Sequence, residues 1–180
     1  MSWQLDKSHT NVMFSVRHMM ITKVRGSFEK LDGTVELDQA HPENTRVEVN
    51  IETASINTRD EKRDAHLRSP DFFNSEQFPL MSFKSTGVKI LDENHAKLVG
   101  DLTIRDITRE VSLDVDFNGM LKNPWGMTSA GFNAAAKINR KDWGLVWNVA
   151  LETGGMLVSD EVEMSIELEL IQVPETVNAA

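Results

Sequence analysis

Alternation of apolar and polar residues, repeated in about ten segments along the chain, constrains this sequence more than any other feature. Period two is the side-chain repeat of a β-strand with one buried face, so an antiparallel all-β architecture is expected. In the first long segment Val12, Phe14, Val16, His18 and Met20 share one face, opposite Met13, Ser15, Arg17 and Met19. Val47, Val49, Ile51 and Thr53 alternate with Arg46, Glu48, Asn50 and Glu52. Ala130, Phe132, Ala134, Ala136 and Ile138 later fall on one parity, followed by Val162, Met164, Ile166, Leu168 and Leu170. The outer parity of that last strand is Glu161, Glu163, Ser165, Glu167 and Glu169, a solvated row that discourages edge-to-edge pairing.

Two hairpins predict their own register. With Asp32-Gly33 as a two-residue turn, Phe28 faces Leu37 and Lys30 faces Val35. A turn at Ile107-Thr108 sets Ile104 against Val111, Leu102 against Leu113, Gly100 against Val115 and Leu98 against Phe117. For the segment 80–85 two parities compete, Met81-Phe83-Ser85 against Leu80-Ser82-Lys84. Residues 58–74 break the alternation. Thr58 with Glu61 reads as a capping box and Ser69-Pro70 as a second helix start, predicting two short helical turns. Phe72, Phe73 and Phe78 close that stretch, and exposing three phenylalanines is costly, so they are expected to cap the apolar interior. The tail 173–180 reads as frayed, and residues 1–172 as one domain.

The chain has 180 residues, enough to hide roughly 70% of the unfolded surface and to hold a core with a cavity in it. Its 19 Lys and Arg against 28 Asp and Glu give a formal charge of −9, which offers no basic footprint for nucleic acid. With no cysteine, disulfides, thiolate catalysis and iron–sulfur ligation are excluded. No apolar run spans a bilayer and the N-terminus has no signal-like apolar stretch, so a cytoplasmic location without membrane insertion is expected, or a periplasmic or secreted one had a signal been removed.

Chemistry is sparse. His9, His18, His41, His66 and His95 are scattered without metal-ligand spacing, no nucleophile elbow or phosphate loop occurs, and the carboxylates fall on outer parities. Neither a metal nor a resident cofactor is expected. Two polar residues keep an inward parity, His18 beside Phe14 and Val16, and Arg140 after the alanine-lined strand. Each is readable as a satisfied structural group or as a ligand contact.

The order of motifs resembles the YceI-like family of lipid or polyisoprenoid-binding proteins across Trp3 to Gln172. The match rests on Trp-Gln-Leu-Asp-Lys-Ser-His-Thr at the start, Phe-Ser-Val-Arg-His at 14–18, Arg-Gly-Ser-Phe at 25–28, and Arg-Asp-Ala-His-Leu-Arg-Ser-Pro-Asp-Phe-Phe at 63–73. Phe78-Pro79, Met81 to Thr86, Gly100 to Arg105 and Asn139 to Gly144 complete it. The resemblance implies an antiparallel lipocalin-like barrel with an apolar channel for an isoprenoid chain, such as a quinone or polyprenyl lipid, and no established catalysis.

A barrel of about eight strands either fills with side chains or holds one small ligand. Small inward residues, Gly26, Gly100, Ala130, Ala134 and Ala136, leave the room a ligand needs or balance large residues across a filled taper. On the channel reading, Phe14, Val16, Phe28, Phe83, Leu102, Ile104, Phe132, Ala134, Trp143 and Trp147 form the wall. Phe72 and Phe73 then form the cap, and His18 and Arg140 the head-group contacts. Two other classes compete: an isomerase or cyclase using His18 with Arg140, and a solid scaffold for protein contacts. A homodimer remains open as an arrangement that covers a protruding tail.

Overall fold

The structure, a computed structural model, describes residues 2–174. Each alternating segment becomes a strand: β1 (Ser2–Leu5), β2 (Asn11–His18), β3 (Thr22–Phe28), β4 (Leu31–Glu36), β5 (Arg46–Glu52) and β6 (Ile56–Asn57). After the helix α1 (Glu61–Arg68) come β7 (Leu80–Ile90), β8 (His95–Ile104), β9 (Ile107–Lys122), β10 (Thr128–Asn139) and β11 (Val158–Val173). They form one antiparallel sheet in the order β4-β5-β7-β8-β9-β10-β11-β2-β3-β6, and β1 joins the far end of β11.

The sheet curls because its long strands serve two neighbours. The first part of β11 pairs with β2 and its end with β1. Likewise β3 and β4 are nearly one strand broken at Glu29-Lys30, pairing first with β2 and β6 and then with β5. Across the break Glu52 N–H donates to the Lys30 carbonyl at 2.9 Å and Lys30 N–H to Ser55 Oγ at 3.1 Å. Taking β3 and β4 as one, and setting aside the four-residue β1 and two-residue β6, eight principal strands remain of eleven.

Asp32-Gly33 is not a turn. Both residues lie inside β4, with Gly33 opposite Val49. A Cβ on Gly33 would collide with the Glu48 carbonyl oxygen and come within 2.9 Å of Val49 Cα, so glycine is there for close backbone approach. The β8–β9 hairpin is real, but its loop is Arg105-Asp106, with Arg105 at φ 58°, the positive value a two-residue loop needs. The observed partners are Ile104 with Ile107, Gly100 with Val111 and Leu98 with Leu113. One strand has slid by four residues relative to the expected pairing. An even slide preserves every inward and outward assignment, so apolar matching alone could not select between the two.

The helix starts two residues later than the Thr58 capping box predicts. Asp60 caps it, accepting Arg63 N–H at 3.0 Å, while Thr58 donates through its hydroxyl and its N–H to the Asp64 carboxylate at 2.6 and 2.9 Å. Ser69 ends α1 rather than opening a second helix, and Phe72 and Phe73 follow in turns. In β7 the Met81-Phe83 parity is the buried one, and a register shift between Ser85 and Gly87 then moves Val88 and Ile90 to the inside. Of the tail, Val173 closes β11 and residues 175–180 lie outside the described residues. Among the described residues no helix is long and apolar enough to cross a membrane.

These glycine environments make a paired prediction. Gly33→Ala forces β4 from β5 and should cost about 1–3 kcal/mol. Gly87→Ala meets nothing within 4 Å; it should be neutral or stabilise by up to about 1 kcal/mol. Urea denaturation of both variants checks this, and equal midpoints would contradict it.

Candidate functional site

The inward side chains divide the barrel into two halves. At the end that carries α1 and the 140–157 segment, the interior is filled. Phe28, Ile56, Leu102, Ile104, Trp143 and Leu145 are buried in one cluster, with Phe14 and Phe73 packed against it. Phe28 meets Phe14 at 5.6 Å between centroids and Phe73 edge-on at 5.5 Å. Trp143 is only 2% exposed, and its Nε1–H donates to the Leu102 carbonyl at 2.9 Å. Phe72 and Trp147 close the outside of this plug at 5.5 Å, with His66 edge-on to both.

The other half encloses a cavity of about 520 Å³, within the range of about 300–1,000 Å³ typical of sites for small ligands. Its wall is apolar: Val47 and Val49 of β5, Val88 and Ile90 of β7, Leu98 of β8, Leu113, Val115 and Phe117 of β9, Phe132 and Ala134 of β10, and Ile166 and Leu168 of β11. Phe117 and Phe132 stack obliquely at 5.2 Å, beside a bulge at which β9 holds an extra residue and Met120 returns to the inner face. The mouth lies between the 37–45 loop and the β7–β8 turn, where Asp38, Gln39, Thr45, Asp92, Glu93, Asn94 and His95 form a polar rim. Beside it Leu91, Leu121 and Trp125 are exposed.

Of the residues singled out in the sequence, Phe83, Phe132 and Ala134 line the cavity. Phe28, Leu102, Ile104 and Trp143 belong to the plug, with Phe14 and Phe73 against it. Phe72 and Trp147 stack at its outer side. Val16 stands opposite Val24 and Val162, and His18 ends β2 opposite Thr22 and Val158, away from the mouth. The glycines expected to leave room instead seat rings. A Cβ on Gly26 would strike Phe14 Cζ, and one on Gly100 would lie 2.5 Å from Phe83 Cζ. Ala130 is fully buried, and only Ala134 among those five small residues faces the void.

Arg140 neither snorkels nor reaches the cavity. It is 4% exposed, and its guanidinium donates to the carbonyls of Ser159 at 2.9 Å, Leu145 at 2.6 Å, Trp147 at 2.9 Å and Val158 at 3.4 Å. Burial lowers its pKa, opposed by Asp160 at 3.8 Å. The residue pins the 140–159 connection over the plug.

Two other places hold polar groups. A depression of about 1,120 Å³ on the outer face of β2, β3, β10 and β11 is lined by opposed charges, including Lys23 and Glu163 at 3.3 Å. Open to water and charged, it offers hydrocarbon no gain. Asp6, His9 and Glu169 gather ligand-type atoms within 4.8 Å of one another. There Ser8 and His9 hydrogen-bond to the Asp6 carboxylate and hold its pKa down to about 2, so its lone pairs are already engaged.

The β9 part of the cavity wall, and Val88 and Ile90 of β7, are not among the site residues singled out in the sequence. Leu113, Val115 and Phe117 alternate cleanly, and that is the available signal for the β9 part. The other half of the wall, Val88 and Ile90, is masked by the parity break in β7.

Arg140→Met should cost at least about 3 kcal/mol, because it strands several carbonyls inside the fold; chemical denaturation measures it, and an unchanged midpoint would contradict the role assigned. At the mouth, Asp92 holds His95 Nδ1 at 2.7 Å, which raises the His95 pKa, while the Asn94 N–H and His95 lower that of Asp92. The histidine's contribution is therefore present below its ordinary 6.5 and lost as pH rises through its raised value. The aspartate's contribution is present above its ordinary 3.8 and lost as pH falls through its lowered value. Hydrogen-exchange protection of the Asn94 amide should be greatest between those limits, and flat protection across them would contradict the clasp.

A YceI-like domain model matches residues 3–170. The UPF0312 protein SA2479 of Staphylococcus aureus is 39% identical over 169 residues, spanning 93% of this chain and 96% of the relative. The YCEI protein of Campylobacter jejuni superposes with a TM-score of 0.77 at 31% identity, over 95% of this chain and 98% of that one. A polyisoprenoid binding domain from Saccharophagus degradans shares the fold, with a TM-score of 0.69 at 12% identity over 96% and 99% of the two chains. Matched along almost its whole length, the chain belongs to the YceI-like family.

Proposed function

We propose that this protein binds an isoprenoid lipid, a polyprenyl chain or an isoprenoid quinone, with its tail in the apolar half of the barrel, and acts as a carrier, store or sequestering protein. The observation that carries this reading is the cavity of about 520 Å³, walled by aliphatic and aromatic side chains and closed at one end by the aromatic plug. Moving hydrocarbon from water into such a space is worth about 0.8 kcal/mol per methylene before costs. The lipid is the ligand, and burial is the whole of the chemistry. The polyisoprenoid-binding description of the Saccharophagus degradans domain agrees with this reading.

The enzymatic alternative would draw on His18 with Arg140, and the guanidinium of Arg140 is committed to backbone carbonyls. A solid scaffold would need a filled interior, which only the plugged half has.

Gentle purification followed by organic extraction and mass spectrometry should recover an unmodified long-chain lipid. Ala134→Trp, which places an indole in the cavity between Val115 and Ile166, should abolish that recovery while leaving the β-sheet circular dichroism unchanged. Undiminished recovery from the folded variant would contradict occupancy of this cavity.

A further inference from the structure

The cavity's charge is one-sided. Asp38, Asp92 and Glu93 stand in its lining at the mouth, and among the described residues no lysine or arginine lines it. Of the cations on the flanking strands, Lys89 and Lys97 sit directly opposite each other on the other parity from Ile90 and Ala96, Lys97 pairs with Asp114 at 3.2 Å on the outside, and Arg46 lies on the other parity from Val47, opposite Glu36. Arg140 is spent at the far end. His95 at the rim is already clasped by Asp92 and has Asp116 at 3.5 Å on its other nitrogen, and His41 of the 37–45 loop has Glu43 at 3.7 Å. Asp38 accepts the N–H groups of Ala40 and His41 at 3.1 and 2.8 Å, and Asp92 that of Asn94 at 2.8 Å, which fixes two of the three carboxylates in the loops that frame the opening.

A head group held there meets hydrogen-bond acceptors and net negative charge at the edge of an apolar wall. We infer that the mouth selects lipids by head-group charge: it accepts a hydrogen-bond-donating head that is uncharged or cationic, an alcohol or amine, and rejects phosphate. This rests on the proposed lipid channel and goes beyond it, because the tail energetics alone are blind to the head. A phosphate at this rim would face like charge, with no lysine or arginine among the described lining residues to receive it. An amine would pair with Glu93 and Asp92, and an alcohol would donate to either.

The test uses three probes with one tail, geranylgeranylamine, geranylgeraniol and geranylgeranyl monophosphate, each displacing retinol, an isoprenoid alcohol whose fluorescence rises in an apolar site. The expected order is amine at least as tight as alcohol, with the monophosphate at least tenfold weaker at low salt and the gap narrowing as salt screens the rim. Asp92→Asn with Glu93→Gln should shrink the gap at least threefold. Glu93→Lys alone should do the same, so the result does not depend on the Asp92 turn surviving. Glu152→Gln, which removes an equal charge from the distant 144–157 segment, should leave the gap unchanged. If retinol and all three probes fail to bind, the lipid channel itself falls. If the monophosphate binds as well as the alcohol, or the gap persists unaltered in both mouth variants, the channel stands and the head-group inference is overturned.

Discussion

Two phenylalanine rings lie where the neighbouring strand has no side chain, and much of the molecule follows from that fit. Phe14 occupies the space a Cβ on Gly26 would need, and Phe83 the space above Gly100. Phe14 seated in this way meets Phe28, which meets Phe73, while Phe83 joins Leu102, Ile104 and Trp143 in the same buried cluster. A curled sheet of this size without such a stopper would be a tube wet from both ends. With it, the remaining length becomes a blind, apolar recess. The plug is held from outside by Arg140, whose buried guanidinium gathers the carbonyls of the 144–159 connection that crosses over it. Burying that charge is tolerable because backbone oxygens surround it, and removing the residue would orphan them together.

The division of the interior also separates tasks between the two faces of each strand. Inward residues of β5, β7, β9, β10 and β11 supply hydrocarbon, while their outward neighbours carry exposed ion pairs such as Lys23–Glu163 and Lys97–Asp114. Such pairs contribute little stability individually. Their value lies in keeping the long edges and outer rows of an acidic chain in water, so that the apolar area with most to gain from burial faces the recess. Among the described residues that line the recess, charge stands at the rim, where the 37–45 loop and the β7–β8 turn meet the mouth.

Much of this was legible from alternation, and the failures have definite physical causes. The all-β antiparallel sheet, the inward parities of β2, β10 and β11 and the special character of residues 58–74 were readable because period two and capping chemistry are local. Gly33 was misread because a glycine needed for close strand approach looks, in sequence, like a glycine needed for a turn. The β8–β9 register slid by four because an even displacement leaves every apolar residue on its own face. The small residues at Gly26 and Gly100 suggested room when each instead receives a ring from the adjoining strand, a three-dimensional fact that composition does not carry. For the same reason, several expected wall residues, Phe28, Leu102, Ile104 and Trp143, prove to be the stopper, whereas Val88, Ile90, Val115 and Phe117 line the void. The bulge in β7 hid part of that wall by reversing parity midway along the strand.

On the proposed lipid-binding function, hydrocarbon enters one half of the barrel and stops at the other. Methyl-resolved NMR of the protein with bound geranylgeraniol measures this directly. The account predicts intermolecular NOEs from the tail to Val88, Leu98, Val115 and Ile166, and none to Ile56, Leu102 or Ile104. NOEs to the latter set, or to side chains on the outer face of β2 and β3, would contradict it.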